Sequence, residues 1–117
     1  MQNVRFLFKG VKIDERTQCY IEKRLANVEK LEKNILQAEV EIDLDKKGLF
    51  RVEIMIKTPR NLYRVEETSE SIEGSTDMAI ESLMNQIRRR REKFLTKIIR
   101  GARSIKKKMS LDKDSRF

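Results

Sequence analysis

The stretch Gln37-Ala38-Glu39-Val40-Glu41-Ile42-Asp43-Leu44, followed beyond Lys46-Lys47-Gly48 by Val52-Glu53-Ile54-Met55-Ile56, decides the fold. Apolar and charged residues alternate with a period of two, the pattern of a strand with one face buried. Ala38, Val40, Ile42 and Leu44 are predicted to point inward, with Glu39, Glu41 and Asp43 outward. Lys46-Lys47-Gly48 reads as a hairpin turn into a second strand, where Val52, Ile54 and Ile56 face in. Thr58-Pro59-Arg60-Asn61 turns the chain again, and Tyr63 and Val65 point inward from a further strand. Pro59 and the acid-rich run to Glu73 make that strand an edge.

Upstream, Val4, Phe6 and Phe8 share one face of a strand over Val4 to Lys9, and Gly10 ends it. Asp14 can cap a helix running to about Glu32, with Ile21, Leu25, Val28 and Leu31 as its buried stripe. Downstream, the period changes to about 3.6 residues at Ile72. Ile72, Thr76, Ala79, Ile80, Leu83, Ile87, Phe94 and Ile98 fall on one stripe, and Gly74 is a local weakness in it. Met109 to Phe117 is polar with mixed charge and is expected to be frayed or disordered.

The predicted class is α+β, in the order β-α-β-β-β-α. A helix between the first two strands makes them parallel, and hairpins make the others antiparallel. Only one sheet face is apolar, so both helices pack on that face of a four-stranded mixed sheet, a layout similar to the double-stranded-RNA-binding module. Residues 72–98 would span ~40 Å as a helix, against ~27 Å for strands of about eight residues. The second helix should therefore outrun the sheet, giving a domain over residues 1–94 and a basic helical extension with a polar tail over 95–117.

Charge is concentrated in that helix. Residues 88–108 carry eleven Lys/Arg against the single acid Glu92, a net of +10, while the chain total is +8. The other 96 residues therefore sum to −2. A near-neutral body with one cationic rod points to a polyanionic partner, because neutralised phosphates release counterions. Gln86, Arg89, Lys93, Lys97 and Arg100 lie on a solvent-facing arc beside the apolar stripe. Arg88 and Arg91 flank its other side, and Arg90 must snorkel at the sheet's end. On the first helix, Arg16, Lys23, Asn27 and Lys30 line up opposite Ile21 and Leu25, diluted by Glu22, Glu29 and Glu32. Two basic ridges, side by side, would meet a phosphate backbone and read shape more than sequence. The outer sheet face offers no aromatic residue for base stacking.

Catalysis has little to work with. The chain has no histidine, and Cys19 therefore has no His partner. Cys19 falls on the outer side of its helix near Lys23 and reads as an incidental small residue. Glu39, Glu41 and Asp43 share a strand face, but read as a charge ladder paired with Arg5 or Lys9 on one side and Arg51 on the other. No cofactor, metal or small-molecule substrate is expected. A lone cysteine, no apolar run near the ~18 residues of a membrane span and no signal-peptide pattern suit a cytoplasmic protein.

The element order, with Tyr20-Ile21-Glu22-Lys23-Arg24-Leu25 and with Asp77, Leu83, Gln86-Ile87-Arg88-Arg89 and Lys93, resembles the ribosome hibernation promoting factor and ribosome-associated inhibitor A family over residues 3 to about 94. The resemblance implies a non-enzymatic protein on the small ribosomal subunit between head and body. There it overlaps the mRNA and tRNA sites and silences ribosomes under nutrient stress. It assigns RNA contacts to Lys23, Arg24, Lys30, Arg88, Arg89 and Lys93. Two departures stand out: Glu73-Gly74-Ser75 replaces the Tyr-Ala-Ala of many members, and the extension from Leu95 matches no family hallmark. Two other readings remain open. One is a general structured-RNA-binding module. The other makes residues 87–105 a basic amphipathic helix for a membrane or partner, with Ile87, Phe94, Ile98, Ala102 and Ile105 as its apolar face. On the leading reading no membrane is engaged, and the C-terminal helix could serve self-association.

Overall fold

In a computed structural model the backbone is described over residues 3–114 and side-chain exposure over 3–101. The elements are β1 (Val4–Lys9), α1 (Glu15–Leu31), β2 (Gln37–Leu44), β3 (Phe50–Lys57), β4 (Leu62–Ser69) and α2 (Ile72–Asp114). This is the β-α-β-β-β-α order read from the sequence. The chain divides into two compact units, the first ending at Ile87 and the second beginning at Arg88.

The sheet order is β1-β2-β3-β4. β1 runs parallel to β2, with Val4 opposite Ala38 and Phe8 opposite Ile42. β2 and β3 are antiparallel, as are β3 and β4. The hairpin between β2 and β3 closes at Gly48, whose φ of 82° is a conformation open to glycine at little cost. Asp45 holds this turn by accepting from the N–H groups of Lys47 (2.8 Å) and Leu49 (2.9 Å). β4 is an edge strand, as expected.

One face of the sheet carries the core. Ala38, Val40, Ile42, Val52, Ile54, Ile56, Tyr63 and Val65 pack with Ile21, Leu25 and Val28 of α1 and with Ala79, Ile80, Leu83 and Ile87 of α2. The α1 cap is the expected one: Asp14 Oδ1 accepts from the Thr17 N–H at 2.9 Å. That hydrogen bond holds the Asp14 carboxyl below its ordinary range.

Several expectations are corrected. Leu44 is 45% exposed and Phe8 38%, because strand ends lie beyond the cover of the helices. Phe94 and Ile98 share the phase of the buried stripe but are about half exposed, and among the described residues the buried stripe ends at Ile87. Of the tail expected to be frayed, Met109 to Asp114 is helical, and 115–117 lie outside the described residues. Gly74 has a local packing role beside its cost to the helix. A Cβ there would lie 2.8 Å from Ser71 Oγ and 2.9 Å from Ser69 Oγ. Ser71 is the residue before α2, and its Oγ accepts from the Gly74 N–H at 2.9 Å. Ser75 Oγ then donates to the Phe50 carbonyl at 2.7 Å, fastening the start of α2 to β3.

Candidate nucleic-acid interface

From Arg88 to Gly101 every residue of α2 is exposed. Lys/Arg occupy seven of those positions, Arg88, Arg89, Arg90, Arg91, Lys93, Lys97 and Arg100, and Glu92 is the one acid. Arg90, expected to snorkel, is exposed like its neighbours. A helix can hold so many like charges because its backbone hydrogen bonds are internal, while the side chains spread into water at a local cost of repulsion. A bound anion relieves repulsion of this kind.

In the first unit the candidate residues of α1 separate into two kinds. Lys23 and Lys30 are exposed, as is Arg16. Arg24 and Asn27 are half-buried. Arg24 brings Nε to 3.0 Å from Asp77 Oδ1 on α2, and Tyr20 donates its phenolic hydrogen to the same oxygen at 2.7 Å. Arg24 therefore ties α1 to α2 as well as adding charge to the surface. Gln86 also has an internal partner: its Nε2 donates to the Arg64 carbonyl of β4 at 3.4 Å. The half-buried amide is thus not wholly turned to solvent, as its helical phase alone suggested. Cys19 is exposed beside Glu15, Arg16, Tyr20 and Lys23 along a shallow groove on α1.

The outer sheet face is a different surface. Register sets Glu41 opposite Glu53 and Glu53 opposite Glu66, a row of three carboxylates across β2, β3 and β4. Directly opposed like charges destabilise a sheet. Arg51, one position along that face, offsets the row: its guanidinium pairs with Glu66, with Glu53 at 2.7 Å, with Asp43 at 3.2 Å and with Glu41 at 3.8 Å. Lys9 of β1 reaches Glu41 at 2.6 Å, and Arg64 lies 3.6 Å from Glu53. The hydrogen bond from Lys9 holds the Glu41 carboxyl below its ordinary range and raises the Lys9 ammonium. The charge ladder is therefore present at Glu41 and Asp43 of the expected three acids, made by Lys9 on the β1 side and Arg51 on the other. Glu53 and Glu66, which the sequence reading had not placed in it, belong to it through register. Such a self-neutralised face offers little net field to a polyanion.

Among the described residues, no group of three or more acids and cysteines is placed to hold a metal ion. No helix there is long and apolar enough to cross a membrane.

Comparison with known proteins agrees with this geometry. The N-terminal domain of Thermus thermophilus Protein Y superposes with a TM-score of 0.68 at 29% identity, covering 75% of this chain and 98% of that one. A ribosomal subunit interface protein from Coxiella burnetii superposes with a TM-score of 0.72 at 16% identity, over 78% of this chain and 99% of that one, and shares the fold. Residues 4–94, from the first strand through the first basic cluster of α2, match the family described as Sigma 54 modulation protein / S30EA ribosomal protein, and the chain belongs to that family.

Proposed function

We propose that this protein is a non-enzymatic, cytoplasmic ribosome-binding factor that occupies the decoding region of the small subunit and silences translation under stress. Family membership and the likeness to Protein Y support a ribosomal role. The observation that carries the mode of binding is the exposed run Arg88 to Arg100, with seven cations against one acid. On this reading Arg88, Arg89, Arg91, Lys93, Lys97 and Arg100 bind rRNA phosphates. Lys23 and Lys30 add weaker contacts from α1, and Arg24, Asn27 and Gln86 line the same helices closer to the core. The neutral outer sheet face stays clear of RNA.

The test is co-sedimentation with small subunits of the protein carrying Arg88→Glu, Arg89→Glu and Lys93→Glu together. Binding should be abolished with circular dichroism unchanged, since all three positions are exposed. In milder variants, each phosphate contact removed should flatten the slope of log affinity against log salt by about 0.7–0.9. Full binding by the folded triple variant would overturn the assignment. Equal affinity for isolated duplex RNA in moderate salt would favour a general structured-RNA module instead.

A further inference from the structure

Phosphate binding leaves one feature of α2 unused. Phe94, Leu95, Ile98 and Ile99 are 50%, 56%, 51% and 50% exposed, four large apolar side chains within a turn and a half. At 3.6 residues per turn they cover an arc of about 140°. Over residues 93–100 Lys93, Lys97 and Arg100 lie on the opposite arc, with Thr96 at the boundary, so apolar and cationic residues are segregated there; Arg88 and Arg91, in the turns before, share the apolar phase. The sequence continues the apolar phase at Ala102 and Ile105. Contiguous exposed apolar surface on a soluble helix marks a contact.

We infer that this segment of α2 binds the surface of an anionic lipid bilayer, lying in the interface plane with Phe94, Leu95, Ile98 and Ile99 in the acyl boundary. Charge complementarity selects this occupant. A second copy would bring two segments of net +10 together with Glu92 as the only acid in each, and like charges along paired helices repel. An anionic bilayer accepts the cations at its headgroups and the apolar arc just beneath them. It also accommodates an arc wider than the two-position seam of a coiled coil. The helix lies on such a surface and does not cross it, in keeping with its charge. This inference does not rest on the ribosome reading: it shares the cations Lys93, Lys97 and Arg100 with it and adds the apolar side chains that rRNA phosphates do not need.

The chain has no tryptophan, so Phe94→Trp creates a single reporter at the strip. With vesicles of about one-third phosphatidylglycerol in phosphatidylcholine, its emission should shift to shorter wavelength, and with phosphatidylcholine alone it should not. Leu95→Ser with Ile98→Ser should cut partitioning of the full chain by roughly tenfold or more, because affinity scales with buried apolar area. The same pair of changes should leave ribosome co-sedimentation unaltered. Absence of a shift on anionic vesicles, or partitioning that survives the two serines, would overturn the inference. A blue shift without lipid that grows with protein concentration and doubled mass would assign the strip to a second copy and overturn it as well. Loss of ribosome binding in the serine variant would assign it to the ribosome, with the same consequence.

Discussion

Tyr20 on α1 donates its phenolic hydrogen to Asp77 on α2 at 2.7 Å, and Arg24, one turn further along α1, brings its guanidinium to 3.0 Å from the same carboxylate oxygen. Fifty-seven residues apart in the chain, Tyr20 and Asp77 lock the two helices at a defined position over the sheet. The bond to Asp77, followed by partial desolvation, raises the Tyr20 phenol above its ordinary range.

Tyr20→Phe should cost about 1 kcal/mol at neutral pH, the net worth of one such hydrogen bond. A phenol whose folded pKa is raised contributes stability that is fully present below its unfolded value and is lost as pH rises through the folded value. The stability gap between the wild type and Tyr20→Phe should therefore close in strong alkali. Phenolate absorbance locates the transition, since Tyr63 is the only other tyrosine. A gap that stays constant through the tyrosine range would remove Asp77 as the cause.

Arg51→Met should destabilise the sheet by about 1–2 kcal/mol, a figure kept modest because part of the network is open to solvent screening. Glu41 has a lowered folded pKa, so its contribution is present above its unfolded value and is lost as pH falls through the folded one. The wild type should lose stability on acidification toward that range. The Arg51→Met variant should lose less: Lys9 still holds Glu41, but the row of carboxylates that Arg51 had bridged now repels itself at neutral pH and is relieved by acid. Melting curves at neutral pH and near pH 4 check this, and an unchanged difference between the two proteins would contradict the bridging role of Arg51.

Gly74→Ala inside a helix ordinarily gains about 1 kcal/mol. Here it should lose about that much, because the new methyl displaces the Ser71 and Ser69 hydroxyls from the start of α2. Against a background of Ser69→Ala and Ser71→Ala the same change should become stabilising. Thermal melts of the four variants close the cycle, and a gain in both backgrounds would show that the hydroxyls yield freely.

Lys23→Glu and Lys30→Glu should each weaken ribosome binding by less than the triple change on α2, since neighbouring acids already lower the potential of α1. Arg24→Ala should differ from both in losing thermal stability as well as affinity, through its ion pair with Asp77. Ribosome affinity and melting temperature measured on the three variants separate the two classes. Equal melting of all three would leave Arg24 as a surface charge like the others.

Element type and order were legible in the residues themselves because they depend on neighbours a few positions away. Alternation at Ala38, Val40 and Ile42 sets which side chains face inward, the Asp14 cap starts α1, and the 3.6 period from Ile72 starts α2. The cationic run from Arg88 was equally plain, since like charges adjacent on a helix remain together whatever the tertiary structure. Only the tertiary structure decided the pairings between distant positions. Strand register, settled by the packed core, sets Glu41, Glu53 and Glu66 in a row and Arg51 beside them. The seating of both helices on one sheet face brings Asp77 to Tyr20 and Arg24, and turns Gln86 toward Arg64. The close approach of the Ser69 and Ser71 hydroxyls leaves little room for a Cβ at position 74. Helical phase alone placed Phe94 and Ile98 with Ile87, but burial also needs a facing surface, and among the described residues the buried stripe ends at Ile87. Periodicity sets the direction of a side chain, whereas the packing of other elements against it determines whether that direction leads into a core.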